Sequence, residues 1–590
     1  MKKIKTVAAV FLCLVLIVPL TSCSFKKATD EEIQDKFDAF CDRLFKESVA
    51  GDSFNAHFCI SDPEKYGITF DEEDYILGEV SVDSADYDSM RDELKELRMY
   101  SRDSLTEEQK LAYDSLEFYM ETQLAYEGSE LIYNYFGPSS GLVSNLSTNF
   151  IEFVFYDKDD VDQYLLYLKD VDRYVDDMLE IVRKQSEEGY FMSDYLAGQV
   201  IEQCDTLLNA ETEALIVTFE DKINNLDLTD DEKNRYIDLN GQYVSEYYLP
   251  AYENIKNTME ELKGTGTNDG GLCNYGDAGV KLYEAIVRDK TSSEMTPEEV
   301  IELLDDEMSE LLKELTAIAM VDYEAYEEAL SYRAGFDTPE EVLEYVLDNM
   351  KEDFPEPLTT DYNIEYQNKA CEIEGTLAYY VTSRLDDISV NNIKVNGSAV
   401  ESGSTLMYTT LAHEGYPGHL YQFTNFYGND KVHNVRKILD FIGATEGWAQ
   451  YSSTCVLDYL DISDNAKELL NLDSMIGYIM SSRIDLGVNY EGWDIDDTYD
   501  YISVYFDIDN DYDSGDNMAM SMYSAVVGDP GIYLPYTVGH ILMNDMREKA
   551  EEELGDDFDV KEYNQWLNDV GITSFNVYDE QLDLWLAKQQ

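Results

Sequence analysis

From Asp30 to about Lys263, apolar residues recur every three or four positions. Phe37, Phe40, Cys41 and Leu44 form one such series, and Leu165, Leu168, Val171 and Val175 another. That spacing lines up side chains on one face of a helix. Thr106 to Gln109 and Thr229 to Glu232 each place a Thr three residues before Gln or Glu, with an acidic first turn; both read as capping boxes. The pattern predicts an N-terminal helical lobe over 30–263. A Gly/Thr/Asn-rich run, 264–271, interrupts it. Helical patterning resumes from Val280, with a further start at Thr296-Pro297-Glu298-Glu299, so a second lobe is expected over 272–590, either separate from the first or continuous with it. Between Tyr379 and Ser404 the period changes. Ile388-Ser389-Val390 and Asn391 to Gly397 alternate apolar and polar residues between Asn and Gly, which predicts one or two strands. Helical segments follow around 405–427, 437–460, 470–486 and 534–554. The expected fold class is mainly α, two-lobed, with a small inserted β-sheet.

The first residues belong to a different design. Lys2, Lys3 and Lys5 precede an unbroken apolar run from Val7 to Val18, then Leu20-Thr21-Ser22-Cys23. This is the form of a signal peptide, and the small residue before Cys resembles a bacterial lipobox. Residues 1–22 would be removed, Cys23 lipidated, and 23–29 left as a linker. Twelve apolar residues are too few for a bilayer core of about 30 Å, and no second hydrophobic span occurs. The expected location is outside the cytoplasmic membrane, anchored only by lipid.

Composition narrows the partners. The 590 residues carry 42 Lys plus Arg against 123 Asp plus Glu, a formal charge of −81; loss of the three signal-peptide lysines takes it to −84. Nucleic acid would be repelled over the whole surface. Six cysteines remain beyond Cys23, with no CxxC pair among them, too sparse for a disulfide framework, so buried free thiols are expected. The acidic run Asp507 to Asp516 lacks the Gly at position six and the Glu at position twelve of an EF-hand and reads as a solvated loop.

Candidate chemistry is concentrated. Only five histidines exist, and two of them, His413 and His419, fall in His413-Glu414-Gly415-Tyr416-Pro417-Gly418-His419. A His followed by Glu with a second His downstream is how zinc peptidases set two imidazoles on a metal and a carboxylate beside its water. The usual spacing is four residues. Six residues place His419 about 240° around an ideal helix, so the helix has to be distorted; Pro417 and Gly418 can bulge and swing His419 back to the face of His413. Glu446, in Gly443-Ala444-Thr445-Glu446-Gly447-Trp448, is the candidate third ligand. One Zn2+ per chain is expected on His413, His419 and Glu446, with Glu414 as general base.

The sequence resembles the bacterial domain-of-unknown-function 885 family, generally regarded as zincin-like. The resemblance runs through Ala378-Tyr379-Tyr380, Asp386-Asp387 and Ile393, then Thr410 to His419 and Glu446-Gly447-Trp448-Ala449. It continues in Arg483 to Gly487, Pro530-Gly531, Tyr536 to Gly539, and Phe558 to Tyr563. It implies a helical, two-lobed, zincin-like fold with a deep cleft, like metallopeptidases that trim short peptides. The chain departs from its relatives at Leu420 and Asn489, where His is common, and at Ser453, where Glu is frequent; these bear on support of the metal ligands.

The functional expectation is a lipid-anchored, zinc-dependent peptidase with a peptide substrate. Tyr536 is expected to donate to the oxyanion, with His540 and Arg483 as the competing donors. Ile393 and Val395, on a strand able to pair with an extended peptide, and Tyr416 are expected to bind substrate. The alternative is a non-catalytic zincin-like lipoprotein that binds peptide or glycan; Glu414, which a binder has no need of, favours the enzyme. Gly137-Pro138-Ser139-Ser140-Gly141 matches a serine-hydrolase pattern, but no strand leads into it, and it reads as a turn.

Overall fold

The structure is a computed structural model that describes residues 29–78, 80, 87–210, 213–373, 375–506, 508 and 517–589. The signal peptide, Cys23 and nearly all of the acidic run 507–516 lie outside these residues. The architecture is mainly α-helical with one three-stranded sheet. Both expected capping boxes form, at Thr106 and Thr229, and others form at Thr296, Thr29, Asp157 and Asp494 among further helix starts. Among the described residues no helix is long and apolar enough to cross a membrane. All six described cysteines are free.

Buried side chains gather in several cores. One is built from residues between Phe54 and Met259. A second joins Leu111 and Phe118 to residues 342–586, and another joins Phe37 to Met120 with Leu385 and Val435. The first hundred residues therefore pack against the C-terminal half.

The sheet has the order β1 (Asn363–Tyr366), β3 (Asn392–Val395), β2 (Ala378–Val381). β3 pairs parallel with β1 and antiparallel with β2. The expected strand at Ile388 to Val390 is instead a turn. Because β3 is central, both of its hydrogen-bonding edges are taken, and Ile393 and Val395 are wholly buried. They cannot pair with or touch a substrate, which corrects the expectation from period-two spacing: alternation identifies a strand but not its neighbours. β2 is the edge. Asn396 N–H donates to Leu377 O, which turns Leu377 and Tyr379 toward β3 and the backbone groups of Ala378 and Tyr380 outward.

Two polar staples fix the elements around the site. Asp485, fully buried near the end of helix Asp464–Leu486, accepts from Tyr283 Oη, Asn489 Nδ2 and Gly531 N. Burial pushes its carboxyl up to about 7, against the pull of those hydrogen bonds. Asp529 accepts from the backbone N–H groups of Ser139 and Ser140 at 2.8 and 3.1 Å. The Gly137 to Gly141 turn thus grips a carboxylate of its own chain.

Candidate metal centre

Ser404 caps helix Thr405–Glu414, its hydroxyl accepting from Met407 N–H. The helix stops at Glu414 rather than bulging. The chain turns through Gly415 to Gly418, with a cis Tyr416-Pro417 bond, and a separate helix starts at His419 and runs to Gly428. The turn is tight: a Cβ on Gly418 would lie 1.8 Å from His413 O, so no other residue fits there. His413 ends one helix and His419 begins the next, and their rings come to 4.6 Å between centroids at 87°.

Glu446 lies on helix Ile442–Cys455. Its Oε2 is 3.3 Å from His413 Nε2 and 3.4 Å from His419 Nε2, and the three donor groups lie within 4.8 Å of one another. Oε2 is buried, yet no bond of good geometry satisfies it; the donors converge on a common point. Burial works to raise the Glu446 carboxyl, but the charge of His419 and the close approach of both imidazoles hold it well below the carboxylate range. Two imidazole nitrogens and an ionised carboxylate can hold a divalent transition metal.

Glu414 sits beside them, its carboxylate 3.9 Å from His413 Nε2. Its Oε2 accepts the outward N–H of Tyr380 on β2 at 2.8 Å. Burial raises its carboxyl to about 7; His413 and the Tyr380 amide oppose that, and Glu446 adds to it. A carboxyl balanced near neutrality can take and release a proton.

Tyr536 reaches the centre from the far side, on helix Leu534–Leu554. This helix crosses the Glu446 helix with almost no space between backbones. A Cβ on Gly539 would lie 2.1 Å from Gly443 O, and one on Gly447 2.5 Å from Gly539 C. Gly539 thus permits the close approach of the two helices. Gly539→Ala is expected to destabilise the fold by about 1–3 kcal/mol, the usual cost of overpacking, read as a lowered midpoint in thermal or urea unfolding; an unchanged midpoint would show that the crossing tolerates a methyl group. The Tyr536 ring stacks between His413 and Tyr478, at 6.4 and 6.0 Å. The negative charge of Glu446, then burial, then Glu414 raise its phenol well above the ordinary value, so it remains a donor.

These groups line one cavity of about 1190 Å³, with Ala378, Tyr380 and His540 also in its wall. His540 has both ring nitrogens engaged: Nε2 accepts from Asn544 at 2.9 Å and Nδ1 faces Met475 Sδ at 2.6 Å. Burial lowers it to about 4. It is a neutral wall residue.

Two further expectations are corrected. Arg483 is not in the cavity wall. It pairs with Asp305 at 3.0 Å and Glu491 at 2.7 Å, over the Trp493 ring. Tyr478, five residues earlier, faces the cavity, and five residues rotate a helix by about 140°. Tyr416 is fully buried, its hydroxyl donating to Thr359 O; the broken turn points it into the core. Of the family departures, Leu420 is core and Asn489 belongs to the Asp485 staple, while Ser453 lines the cavity. His419 Nδ1 has no partner among the described residues. Sequence reasoning missed Tyr478, which lies in no recognisable motif, and the Tyr380 amide, whose family segment gave no sign that its backbone N–H meets Glu414.

The family described as bacterial protein of unknown function (DUF885) matches residues 66–578, and both metal-donor segments fall inside that span. The chain belongs to this family. No curated protein matches it. Its fold is similar to the crystal structure of a putative lipoprotein from Colwellia psychrerythraea, at 16% identity and a TM-score of 0.72, covering 95% of this chain and 99% of that one. It is also similar to a putative lipoprotein of unknown function from Shewanella oneidensis, at 14% identity and a TM-score of 0.61, covering 95% and 100%. At these identities the likeness establishes the fold alone.

Proposed function

We propose that this DUF885 protein is a zinc-dependent peptidase, held outside the cytoplasmic membrane by a lipid on Cys23. One observation carries the reading: His413, His419 and Glu446 converge on one point, with the buried carboxylate of Glu414 beside it, in the wall of a cavity large enough for several residues of peptide. The donor set of two His and one Glu suits zinc. When bound there, zinc supplies Lewis acidity toward a scissile carbonyl and water.

The remaining steps belong to the chain. Glu414 accepts the proton of the attacking water and delivers it to the leaving amine. Its orientation is set by the Tyr380 amide. Tyr536, stacked on His413, donates its phenolic hydrogen to the developing oxyanion from across the centre. The substrate backbone lies along the outer edge of β2 beside Ala378, rather than along β3; the Tyr380 N–H on that edge is already taken by Glu414. The lipoprotein descriptions of the two similar structures support the anchoring reading, as does the lipobox at Cys23.

Zinc analysis followed by digestion of a peptide library tests this. One zinc per chain with cleavage is expected, and zinc binding without cleavage of any peptide would favour the non-catalytic binder. Tyr536→Phe is expected to lower kcat on the order of 100- to 1000-fold while leaving KM, zinc content and melting temperature near wild type. Wild-type kcat in that variant would make Tyr536 a packing residue.

A further inference from the structure

Apart from histidines, every charged side chain lining the cavity among the described residues is acidic: Glu414, Asp440, Glu446 and Asp473. No lysine or arginine contributes to the wall. Glu414 and Glu446 are used by the metal centre. Asp440 is not. It immediately precedes Phe441, the N-cap of the Glu446 helix, so the element that presents Glu446 also fixes Asp440.

Asp440 is exposed to the cavity but enclosed by protein otherwise. Burial raises its carboxyl, with Asp289 and Glu446 adding to the shift and Lys290, which lies outside the cavity wall, opposing it. Asp289 is already engaged by Tyr126 Oη at 2.9 Å. Among the described residues no hydrogen bond or ion pair engages the Asp440 carboxylate. A carboxylate that faces the cavity without a protein partner is an open acceptor, and the cavity is the direction from which a partner can come.

We propose that Asp440 receives an ammonium group of the substrate, so that the cleft selects peptides carrying a primary amine, either a free amino terminus or a lysine side chain. The proposal rests on the peptidase reading of the same cleft and names its substrate class. Charge complementarity acts at two ranges. Away from the zinc, a peptide carboxyl terminus finds no lysine or arginine in the wall, whereas an ammonium finds an unpaired acceptor in Asp440. At longer range the −81 charge of the chain draws cationic peptides in and turns anionic ones away, an effect that salt weakens.

The test is a binding measurement on the zinc-loaded Glu414→Gln protein with three fluorescent peptides of one length. One has a free amino terminus and no lysine, one is N-acetylated with a lysine, and one is N-acetylated with norleucine in place of that lysine. At least one amine-bearing peptide is expected to bind on the order of ten- to a hundredfold more tightly than the third, the usual worth of a charged hydrogen bond. Preference for the first identifies the α-ammonium as the source, and preference for the second the lysine. Adding Asp440→Asn should bring that ratio close to one with zinc content unchanged. Equal binding of all three peptides, or a ratio that survives Asp440→Asn, overturns the proposal. Failure of the peptidase reading shows separately, as wild-type protein that cuts none of the peptides while the binding preference persists.

Discussion

Glu414→Gln is expected to bind one zinc per chain as wild type does and to turn peptides over about 100- to 10,000-fold more slowly, the range of a lost general base. The substitution is conservative in every respect but one. Gln keeps the volume and an oxygen able to accept the Tyr380 N–H now bonded at 2.8 Å, so β2 stays in register with the site. Glu414 is not one of the three converging donors, so zinc is retained. What disappears is the carboxylate that takes the proton. Elemental analysis and kcat on a cleaved library peptide check both halves. Retained turnover would remove Glu414 from the chemistry, and lost zinc would make it a ligand.

His419→Ala is expected to abolish stoichiometric zinc binding, and with it all turnover above background. Catalytic zinc is normally held by three protein ligands, and only two would remain. The loss need not unfold the chain, because the imidazole faces the cavity and its Nδ1 bonds to nothing among the described residues. The sharper readout is thermal. Zinc at about a thousand times its Kd stabilises a folded protein by about 4 kcal/mol; wild type should show the resulting rise in melting temperature and His419→Ala should show none. An intact zinc response would place the second imidazole ligand elsewhere, and His540, with both nitrogens engaged, would need to rearrange to supply it.

Much of the local structure is legible along the chain. Helix faces, capping boxes and the interruption at 264–271 depend on residues three or four apart, and all are found. The four later helical segments are also found, the first of them as two helices. The metal donors are legible for a related reason: two of five histidines within seven residues, beside a Glu, are a concentration that composition alone rarely produces. Glu446 is legible only through its motif, since it lies 27 positions after His419.

The tertiary structure decided the rest. β1, four mostly exposed residues, pairs with β3 from 29 positions away; that pairing turns the strand of Ile393 from a substrate rail into the centre of a sheet and leaves β1 and β2 as its edges. Arg483 and Tyr478 share a helix, but Asp305, Glu491 and Trp493 claim one and the cavity the other. Tyr536 meets His413 only because Gly443, Gly447 and Gly539 let two helices touch backbone to backbone. Short-range hydrogen bonding and periodicity are written locally and fix what each segment becomes. Which edge is free, which charge is paired and which helices touch are set by contacts between residues far apart in sequence, where a single chain carries no register.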